Sequence, residues 1–469
     1  MSQKYGEFAL EDKDLSLSDG EKGISCFFEN VGVDNGIKTQ FSETNFAQII
    51  EPNRETAIDE IIENIGGLSA LFQYKTYVQG IEKVFLILCS SSYVLYYYEL
   101  YKTNPEMLCF NTISLTSVPH FETFSSQNKN LLIISTKQDE MWVWDGENSP
   151  YEVLDSPIIS SATIGLGRLF VSTNSKPYSV CYSEDLDPST WGMSSGDIME
   201  VNFADNLGKV IKVVSFDNYV FVIREKGIIK IYAKTNGELA TSKILSFEGK
   251  IFAHSICVCI DKIVFCSSAG IYKFDGVNIK LVYKSFDRLL QEYDVVYALC
   301  KDNNYYLCLS KKTNADGYIF ALDNVDGKIY EICKIQPCSS MFSVDIFGAL
   351  YIGYIVSATA SKNAKMPIFV TKTYQKTANL TQFLYKTNKL CLPVISTNVT
   401  ILYADILSLT DVNVTIATER ETKTFEVKGS TDIQRVMLQI SGRIIQLTIS
   451  GDAGADIQSF VLHYSYIGR

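Results

Sequence analysis

Short apolar strands recur along the middle of the chain at a nearly constant interval. Seven of them share an aromatic or aliphatic anchor position: Phe85, Leu132, Phe170, Phe221, Val264, Tyr306 and Tyr351. The anchors are separated by 47, 38, 51, 43, 42 and 45 residues. Another apolar strand precedes each anchor, and an aromatic-rich strand and a weaker fourth strand follow most of them. Four short strands in each repeat of about 40–45 residues are typical of a β-propeller blade.

The repeat also predicts how the chain is divided. A blade cannot bury both of its faces alone, so blades stack around a common axis. Six repeats are complete, whereas the seventh, which starts near Ser339, lacks a clean second half. We therefore predict an all-β protein with a β-propeller of six or seven blades over residues 65–365. Residues 1–64 lie outside the repeat and form an N-terminal arm and ring-closing segment.

The hydrophobic pattern changes after Tyr374. From there on, segments such as TNVTILYADI and RIIQLTISG alternate apolar and polar residues, with turns about every 8–12 residues. Strict alternation is typical of strands that bury one face. The sequence therefore predicts a C-terminal β-sandwich of about seven strands over residues 366–469.

The longest interval between anchors contains a polar stretch from Cys181 to Val201, CYSEDLDPSTWGMSSGDIMEV. Its position predicts an insertion between the third and fourth strands of one blade. Asp187 and Pro188 favour a turn, because proline fixes φ and the aspartate side chain bonds the backbone ahead of it. Trp191 is able to fold back as an apolar plug, and Gly196–Asp197 favours a second turn. We expect this loop to be structural or to contact a neighbouring subunit.

Two shorter stretches predict tight turns. The chain reads WDG up to Gly146 and FDG up to Gly276. An Asp-Gly step supplies the positive φ that a tight hairpin needs. We expect a structural role for both.

Composition limits the classes of function. The formal net charge is −11, and no cluster of lysines and arginines stands out. A protein that binds duplex DNA tightly normally presents a basic face, so contact with DNA is expected to be transient. The twelve cysteines lie largely inside apolar strands, where we expect buried free thiols in a reducing compartment. With only three histidines, neither a metal site nor a cofactor is predicted.

No catalytic motif is recognisable. The chain has neither a GxSxG nucleophile motif nor a glycine-rich phosphate loop. The segment Ser183–Trp191 is similar to the structural turn of sialidase-like propellers, but it occurs once, has one residue too many and lacks the glycine. Activity as a glycosidase is therefore the weakest alternative, and we expect no enzyme. The polar N-terminus and the lack of an apolar run of about 18 residues predict no signal peptide and no membrane span.

The stretch from Gly167 to Tyr232 resembles tail proteins of tailed bacteriophages, which are described as tail nozzle, tail tubular or packaged-DNA stabilisation proteins. The matching residues are Tyr182, Ser183, Asp187, Pro188, Trp191, Gly196, Asp197, Phe221, Gly227, Ile228 and Tyr232. Near the C-terminus, Gly442, Arg443 and the final Arg469 resemble the last strands of that family. The segment Phe369–Gln375 resembles its exit from the propeller.

The resemblance implies a non-enzymatic virion protein. It would form a homo-oligomeric ring, with six copies expected, that contacts the portal, an adaptor or other tail proteins. Phage DNA would pass through the ring and be retained there without tight binding. The protein would be assembled in the cytoplasm of the bacterial host and reside in the tail. Two alternatives remain open, a receptor- or glycan-binding propeller at the tail tip and a cellular interaction propeller.

Overall fold

Nearly all regular structure in the computed structural model is β-strand. The residues that the structure describes are 3–10, 26–29, 39–45, 67–102, 106–126, 129–192, 199–283, 286–301, 304–313, 316–323, 329–335, 337–346, 349–356, 367–373, 383–387, 390–392, 398–451 and 457–467. Helical elements in these ranges are the α-helix Phe286–Glu292 and the 3-10 helix Ala253–Ser255. No helix in the described ranges has the length and apolar character needed to cross a bilayer.

Seven antiparallel sheets of four strands each form the blades of a β-propeller, numbered one to seven from Leu68 onward. The first strands are Leu68–Val78, His120–Ser126, Ser161–Gly165, Val210–Phe216, Cys257–Cys259, Tyr293–Lys301 and Cys338–Ile346. The second strands are Ile81–Ser90, Lys129–Ser135, Arg168–Ser172, Tyr219–Arg224, Lys262–Ser267, Asn304–Lys311 and Ala349–Val356. The third strands are Leu95–Leu100, Met141–Trp144, Ser179–Tyr182, Gly227–Ala233, Gly270–Phe274, Gly317–Asp323 and Pro367–Thr373. The fourth strands of blades one to six are Met107–Cys109, Tyr151–Val153, Glu200–Asn202, Leu239–Ser246, Ile279–Tyr283 and Ile329–Ile335.

The blades form a closed ring. The first strand of each blade contacts the first strand of the next blade, and that of blade seven contacts that of blade one. The first strands therefore surround the axis of the propeller. The predicted propeller is confirmed, with seven blades. All seven anchor positions lie in second strands, and the six whose burial is described are at most 2% exposed.

The N-terminal arm supplies the fourth strand of blade seven. Thr39–Asn45 pairs antiparallel with Pro367–Thr373, so that Phe41 lies opposite Thr371. Blade seven therefore continues past residue 365 and takes its outermost strand from the opposite end of the chain. On the axial side, the Gln73 side chain links blade one to blade seven: its Nε2 donates to the Asp345 carbonyl at 2.6 Å, and its Oε1 accepts from the Asp345 amide at 2.8 Å.

The remaining strands form the two sheets of the C-terminal β-sandwich. One sheet has the order Gln3–Leu10, Ile457–Ile467, Val399–Ser408 and Gln434–Ser441. The other has the order Cys26–Glu29, Phe383–Thr387, Ile444–Gly451, Val412–Thr418 and Thr422–Val427, and Leu390–Cys391 also pairs with Ile444–Gly451. Alternate side chains of both sheets point into a common core, which includes Ile406, Ile416, Leu447 and Leu462. The arm thus contributes one strand to each sheet of the sandwich.

Apolar side chains fill the spaces between blades. Between blades one and two, the Trp144 ring lies 4.9 Å from that of Phe85 and 4.9 Å from that of Phe110. Between blades three and four, the guanidinium of Arg224 is fully buried, pairs with Asp205 at 2.6 Å and lies over the Phe203 ring. A buried charge is tolerated only when it is paired, so this ion pair fixes how the two blades meet.

The expectation of free thiols is wrong for two cysteines. Cys259 and Cys300 form a disulfide between the first strands of blades five and six, with their Cα atoms 5.4 Å apart. The two residues are 41 positions apart, and sequence spacing cannot reveal such pairing. Elsewhere, burial raises the pKa of the Cys89 and Cys181 thiols to about 11, which keeps them protonated.

Both predicted Asp-Gly turns are confirmed. In blade two, the Asp145 carboxylate accepts hydrogen bonds from the amides of Glu147 and Asn148, and Gly146 has a φ of 85°. In blade five, Asp275 accepts from the amides of Val277 and Asn278 in the same way, at 2.9 and 2.6 Å. Each aspartate therefore closes the hairpin between the third and fourth strands of its blade.

The pairing of the arm predicts what truncation does. Removing residues 1–45 takes away the strand that covers Pro367–Thr373, so the amides that faced the arm lose their partners. We expect these amides to exchange with solvent deuterium roughly tenfold faster or more, while blades two to five stay protected. Removing only residues 1–29 is the matched control, because it takes both sandwich strands and keeps the closing strand. Equal exchange of Pro367–Thr373 in the two truncated chains would contradict this closure.

The Asp145 turn predicts a pH-dependent contribution to stability. Burial alone would raise the pKa of Asp145, but the Lys129 ammonium at 2.7 Å and the donors of Asn148 and Glu147 hold it well below its usual value. This contribution is present above the unfolded pKa of about 3.9 and declines as the pH falls below it. We expect Asp145→Asn to cost about 1–2 kcal/mol at neutral pH, and the difference from wild type to narrow below pH ~4.

Urea unfolding at several pH values measures this difference. Asp275→Asn is the matched control, since its turn is held by backbone amides without the Lys129 partner, and it should show a smaller pH dependence. Parallel pH profiles for wild type and Asp145→Asn would argue against the ion pair as the source.

Candidate functional site

The candidate site is the inserted loop of blade three together with the pocket beside it. The loop joins the third strand, Ser179–Tyr182, to the fourth, Glu200–Asn202, as predicted. Residues 183–192 of the loop are described, whereas Gly196 and Asp197 lie outside the described residues. The loop emerges at the end of the propeller that also carries the hairpins between the first and second strands.

The predicted Asp-Pro turn is present. Asp187 Oδ1 accepts from the Ser189 amide at 2.8 Å, and Oδ2 accepts from the Thr190 hydroxyl at 2.7 Å. Pro188 follows directly and is buried. The Asp187 side chain therefore fixes the backbone ahead of it, with one hydrogen bond on each carboxylate oxygen.

Trp191 is a core residue. Its side chain is 4% exposed and packs among Met141 and Val143 of blade two and Leu169 and Val171 of blade three. The apolar plug predicted from the sequence is thus present. An indole buried this deeply offers a second subunit almost no surface, so Trp191 itself has the structural role, one of the two roles expected for this loop. Its carbonyl accepts from the Met199 amide at 2.9 Å, which ties the two ends of the loop together.

Ser183 and Arg168 anchor the start of the loop. The Ser183 hydroxyl accepts from the Leu169 amide at 3.0 Å, and Arg168 Nη1 donates to the Ser183 carbonyl at 2.9 Å. The Arg168 guanidinium also lies over the Tyr182 ring, 5.6 Å from its centroid. The loop is therefore held to the neighbouring hairpin by backbone and side-chain hydrogen bonds at the point where it leaves the sheet.

A shallow pocket opens beside the loop, between blades three and four. It is lined by Arg168, Tyr182, Glu200 and Val201 and by the hairpin 234–241 of blade four. Of its charged side chains, Glu200 pairs with Lys176 at 2.6 Å and Lys234 pairs with Glu238 at 3.2 Å, whereas Arg168 donates to the Ser183 carbonyl. The Lys176 hydrogen bond is the main cause that lowers the pKa of Glu200. The pocket therefore offers a ligand both signs of charge and hydrogen-bond donors beside the Tyr182 ring.

The accessible part of the loop is partly apolar. Leu186 is 44% exposed at the tip, and Tyr151 of blade two, 49% exposed, shares a hydrogen bond of 3.0 Å with the Ser189 hydroxyl. Glu184 and Asp185 are exposed beside them. These four side chains, rather than Trp191, form the accessible surface at and beside the tip of the loop, and we call them the loop-tip surface.

Gly442 and Arg443 of the C-terminal motif form a turn that is held by hydrogen bonds. Gly442 has a φ of 150°, and a Cβ there would lie 2.5 Å from Thr418. The Glu419 carboxylate accepts from the amides of Arg443 and Ile444 at 2.8 and 2.9 Å. Glu421 Oε1 accepts from the Ser441 amide at 3.1 Å, so both carboxylates bind this turn. Arg469 lies outside the described residues.

The histidines are dispersed. His120 pairs with Glu122 at 3.2 Å in blade two, and His463 pairs with Asp405 at 3.1 Å in the sandwich. Within the described ranges, no group of three or more His, Cys, Asp or Glu side chains could hold a metal ion.

Sequence reasoning missed the residues that line the pocket. Arg168, Glu200, Lys234 and Glu238 come from two blades and from three different hairpins or strands. Arg168, Lys234 and Glu238 lie outside the polar stretch Cys181–Val201, and Glu200 lies at its end, where nothing distinguishes it from a common surface residue. Only the folded ring brings them together.

No protein-family model matches the chain, and no curated protein matches it. Among solved structures, selenomethionine-substituted virginiamycin B lyase from Staphylococcus aureus has 11% identity and a TM-score of 0.44, over 71% of this chain and 99% of that one. The extracellular domain of a hybrid two-component system from B. thetaiotaomicron has 11% identity and a TM-score of 0.44, over 89% and 58%.

A third similar structure, Raptor from Chaetomium thermophilum, has 12% identity and a TM-score of 0.41, over 71% of this chain and 31% of that one. Similarities this weak carry no argument about function. The assignment of the propeller rests on the strand pairing within the chain itself.

The burial of Trp191 predicts a large loss of stability on truncation. Trp191→Ala would leave a cavity between blades two and three, and we expect it to lower the free energy of unfolding by about 3–5 kcal/mol. Leu186→Ala is the matched control from the same loop, because its side chain is exposed, and it should change stability by less than about 0.5 kcal/mol. Urea unfolding followed by tryptophan or tyrosine fluorescence measures both. Similar stabilities for the two variants would show that Trp191 is not part of the core.

Proposed function

We propose that the protein is a structural component of a bacteriophage tail, which forms part of a nozzle or tail-tube ring through which DNA passes and is retained. One observation carries the proposal. The residues of the loop that resemble the tail family, among them Ser183, Asp187, Pro188 and Trp191, are used to build the loop and to fill the space between two blades. Residues shared with a family that serve to build a loop and fill a core are typical of a structural protein. We therefore propose that the protein has no enzymatic activity.

Charge is consistent with the passage of DNA. The chain has a net charge of −11. In a ring of copies around a channel, acidic walls repel phosphates, so that DNA would cross without binding tightly. Six copies are proposed, in contact with portal, adaptor or other tail proteins, after assembly in the cytoplasm of the host.

The loop-tip surface is the proposed contact with a neighbouring subunit or the next ring. It combines the exposed Leu186 and Tyr151 with the carboxylates of Glu184 and Asp185. An apolar centre with a polar rim is typical of protein interfaces.

The alternative function is binding of a receptor or glycan at the tail tip. The pocket beside the loop favours it, because Tyr182 offers apolar contact in its wall and the charged side chains around it offer hydrogen bonds to a sugar. Specific retention on a glycan array that is lost in Tyr182→Ala would favour this alternative over the ring component.

Immunogold electron microscopy of purified particles tests the proposal. We expect label on the tail, near the neck for a ring component and at the distal end for a receptor binder. Particles from a phage that lacks the gene serve as the control and should carry no label. Absence of label on wild-type particles would overturn the assignment to a virion.

The loop-tip surface predicts a defect in assembly without a defect in folding. Leu186→Asp should leave the melting temperature within about 2 °C of wild type and reduce incorporation into particles, measured by mass spectrometry after complementation of a deletion. Leu154→Asp is the matched control: Leu154 is 71% exposed on blade two, but lies at the opposite end of the propeller. Equal incorporation of both variants would argue against this surface as the contact.

A further inference from the structure

Two cysteines meet between blades six and seven. Cys308 lies in the second strand of blade six, and Cys338 begins the first strand of blade seven. Their Sγ atoms are 2.8 Å apart. Unbonded carbon atoms approach only to about 3.5–4.0 Å, and sulfur is larger than carbon. The two sulfur atoms are therefore closer than an ordinary packing contact allows, although the residues are not joined in the structure.

Their surroundings are apolar and closed to solvent. Cys308 is 0% exposed and Cys338 is 7% exposed. Both belong to one cluster of buried side chains with Ile319, Met341 and Tyr354, which joins the two blades. A bond formed here would be shielded from reductants, because attack on a disulfide needs access to sulfur.

The same region already contains one covalent link. Cys259–Cys300 joins blades five and six, and Cys308 and Cys338 face each other at the next junction along the ring. A second bond would therefore link blades five, six and seven in series. This series ends at blade seven, whose fourth strand, Thr39–Asn45, comes from the N-terminal arm and pairs with Pro367–Thr373.

We propose that Cys308 and Cys338 form a second disulfide between blades, which locks the first strand of blade seven to blade six. The oxidant is a small-molecule disulfide such as oxidised glutathione. One cysteine thiolate attacks it, forms a mixed disulfide and releases one glutathione thiol; the second cysteine then attacks the protein sulfur and releases the other. Two protein thiols are oxidised, one glutathione disulfide is reduced, and both protons end on glutathione. The inference does not depend on the proposed function.

Burial determines when the bond can form. A small disulfide reaches these sulfur atoms only before blades six and seven pack together or when they separate transiently. Oxidation of the folded, reduced chain should therefore be slow in buffer and faster in mild denaturant. Once formed, the bond restricts the unfolded chain and opposes separation of blade seven.

Peptide mapping of the full chain tests the proposal. The reduced protein is refolded with oxidised glutathione, unfolded with iodoacetamide to alkylate every free thiol, and digested without reductant. We expect a cross-linked peptide that contains Cys308 and Cys338. Recovery of both residues in alkylated form would overturn the proposal, whatever the state of Cys259–Cys300. A bond from either residue to a different cysteine would overturn it as well.

Variants separate this bond from the neighbouring one. Cys338→Ala should abolish the new cross-linked peptide, keep the Cys259–Cys300 peptide and reduce the loss of melting temperature that a reductant causes. Cys181→Ala, a buried free thiol in blade three, is the matched control and should keep both peptides. If Cys338→Ala and wild type lose the same number of degrees on reduction, the bond does not hold blade seven.

Discussion

Closure of the ring is the constraint on which the rest of the structure depends. Each blade buries its two faces only because another blade covers them, and in an open chain of blades the first and last would expose apolar faces. The pairing of Thr39–Asn45 with Pro367–Thr373 joins the two ends of the repeat region. It also covers a strand edge that would otherwise be a template for pairing with another chain. Because the same arm adds a strand to each sheet of the sandwich, closure of the propeller and completion of the second domain depend on one segment.

Once the ring is closed, the contacts at the junctions between blades determine its stability. Different kinds of contact hold the different junctions. An aromatic cluster around Trp144 fills the first junction, Trp191 fills the second, and the buried Arg224 guanidinium, paired with Asp205 at the surface, fixes the third. The Cys259–Cys300 disulfide joins blades five and six. Such differences give each blade a specific neighbour, which matters in a repeat protein, where similar faces could otherwise pack in the wrong order.

The sequence pattern predicts the strands and turns of this fold, which are set by neighbouring residues. It does not predict which strands pair when they are far apart in the chain. The seven anchors and the two Asp-Gly turns follow from spacing and turn chemistry, which act within a few residues. The partner of Pro367–Thr373 is more than 300 residues away in the chain, and no short-range signal connects the two strands. The Cys259–Cys300 bond and the pocket beside the loop also join residues that are distant in the chain, so the sequence does not predict them either. Trp191 shows a different limit: the sequence predicts that it folds back, but only the packing of blade two against blade three distinguishes a core residue from a contact with another subunit.

The disulfide constrains the order of events in the proposed setting. A reducing bacterial cytoplasm does not favour disulfides in a newly made protein. Folding there must therefore rely on the non-covalent contacts, namely the closing strand, the Gln73 link to Asp345 and the apolar junctions. Oxidation after release into an oxidising medium would then act on a ring that is already closed. On this view the covalent links do not direct folding; they preserve, in a particle outside the cell, an arrangement that hydrogen bonds and packing have already selected.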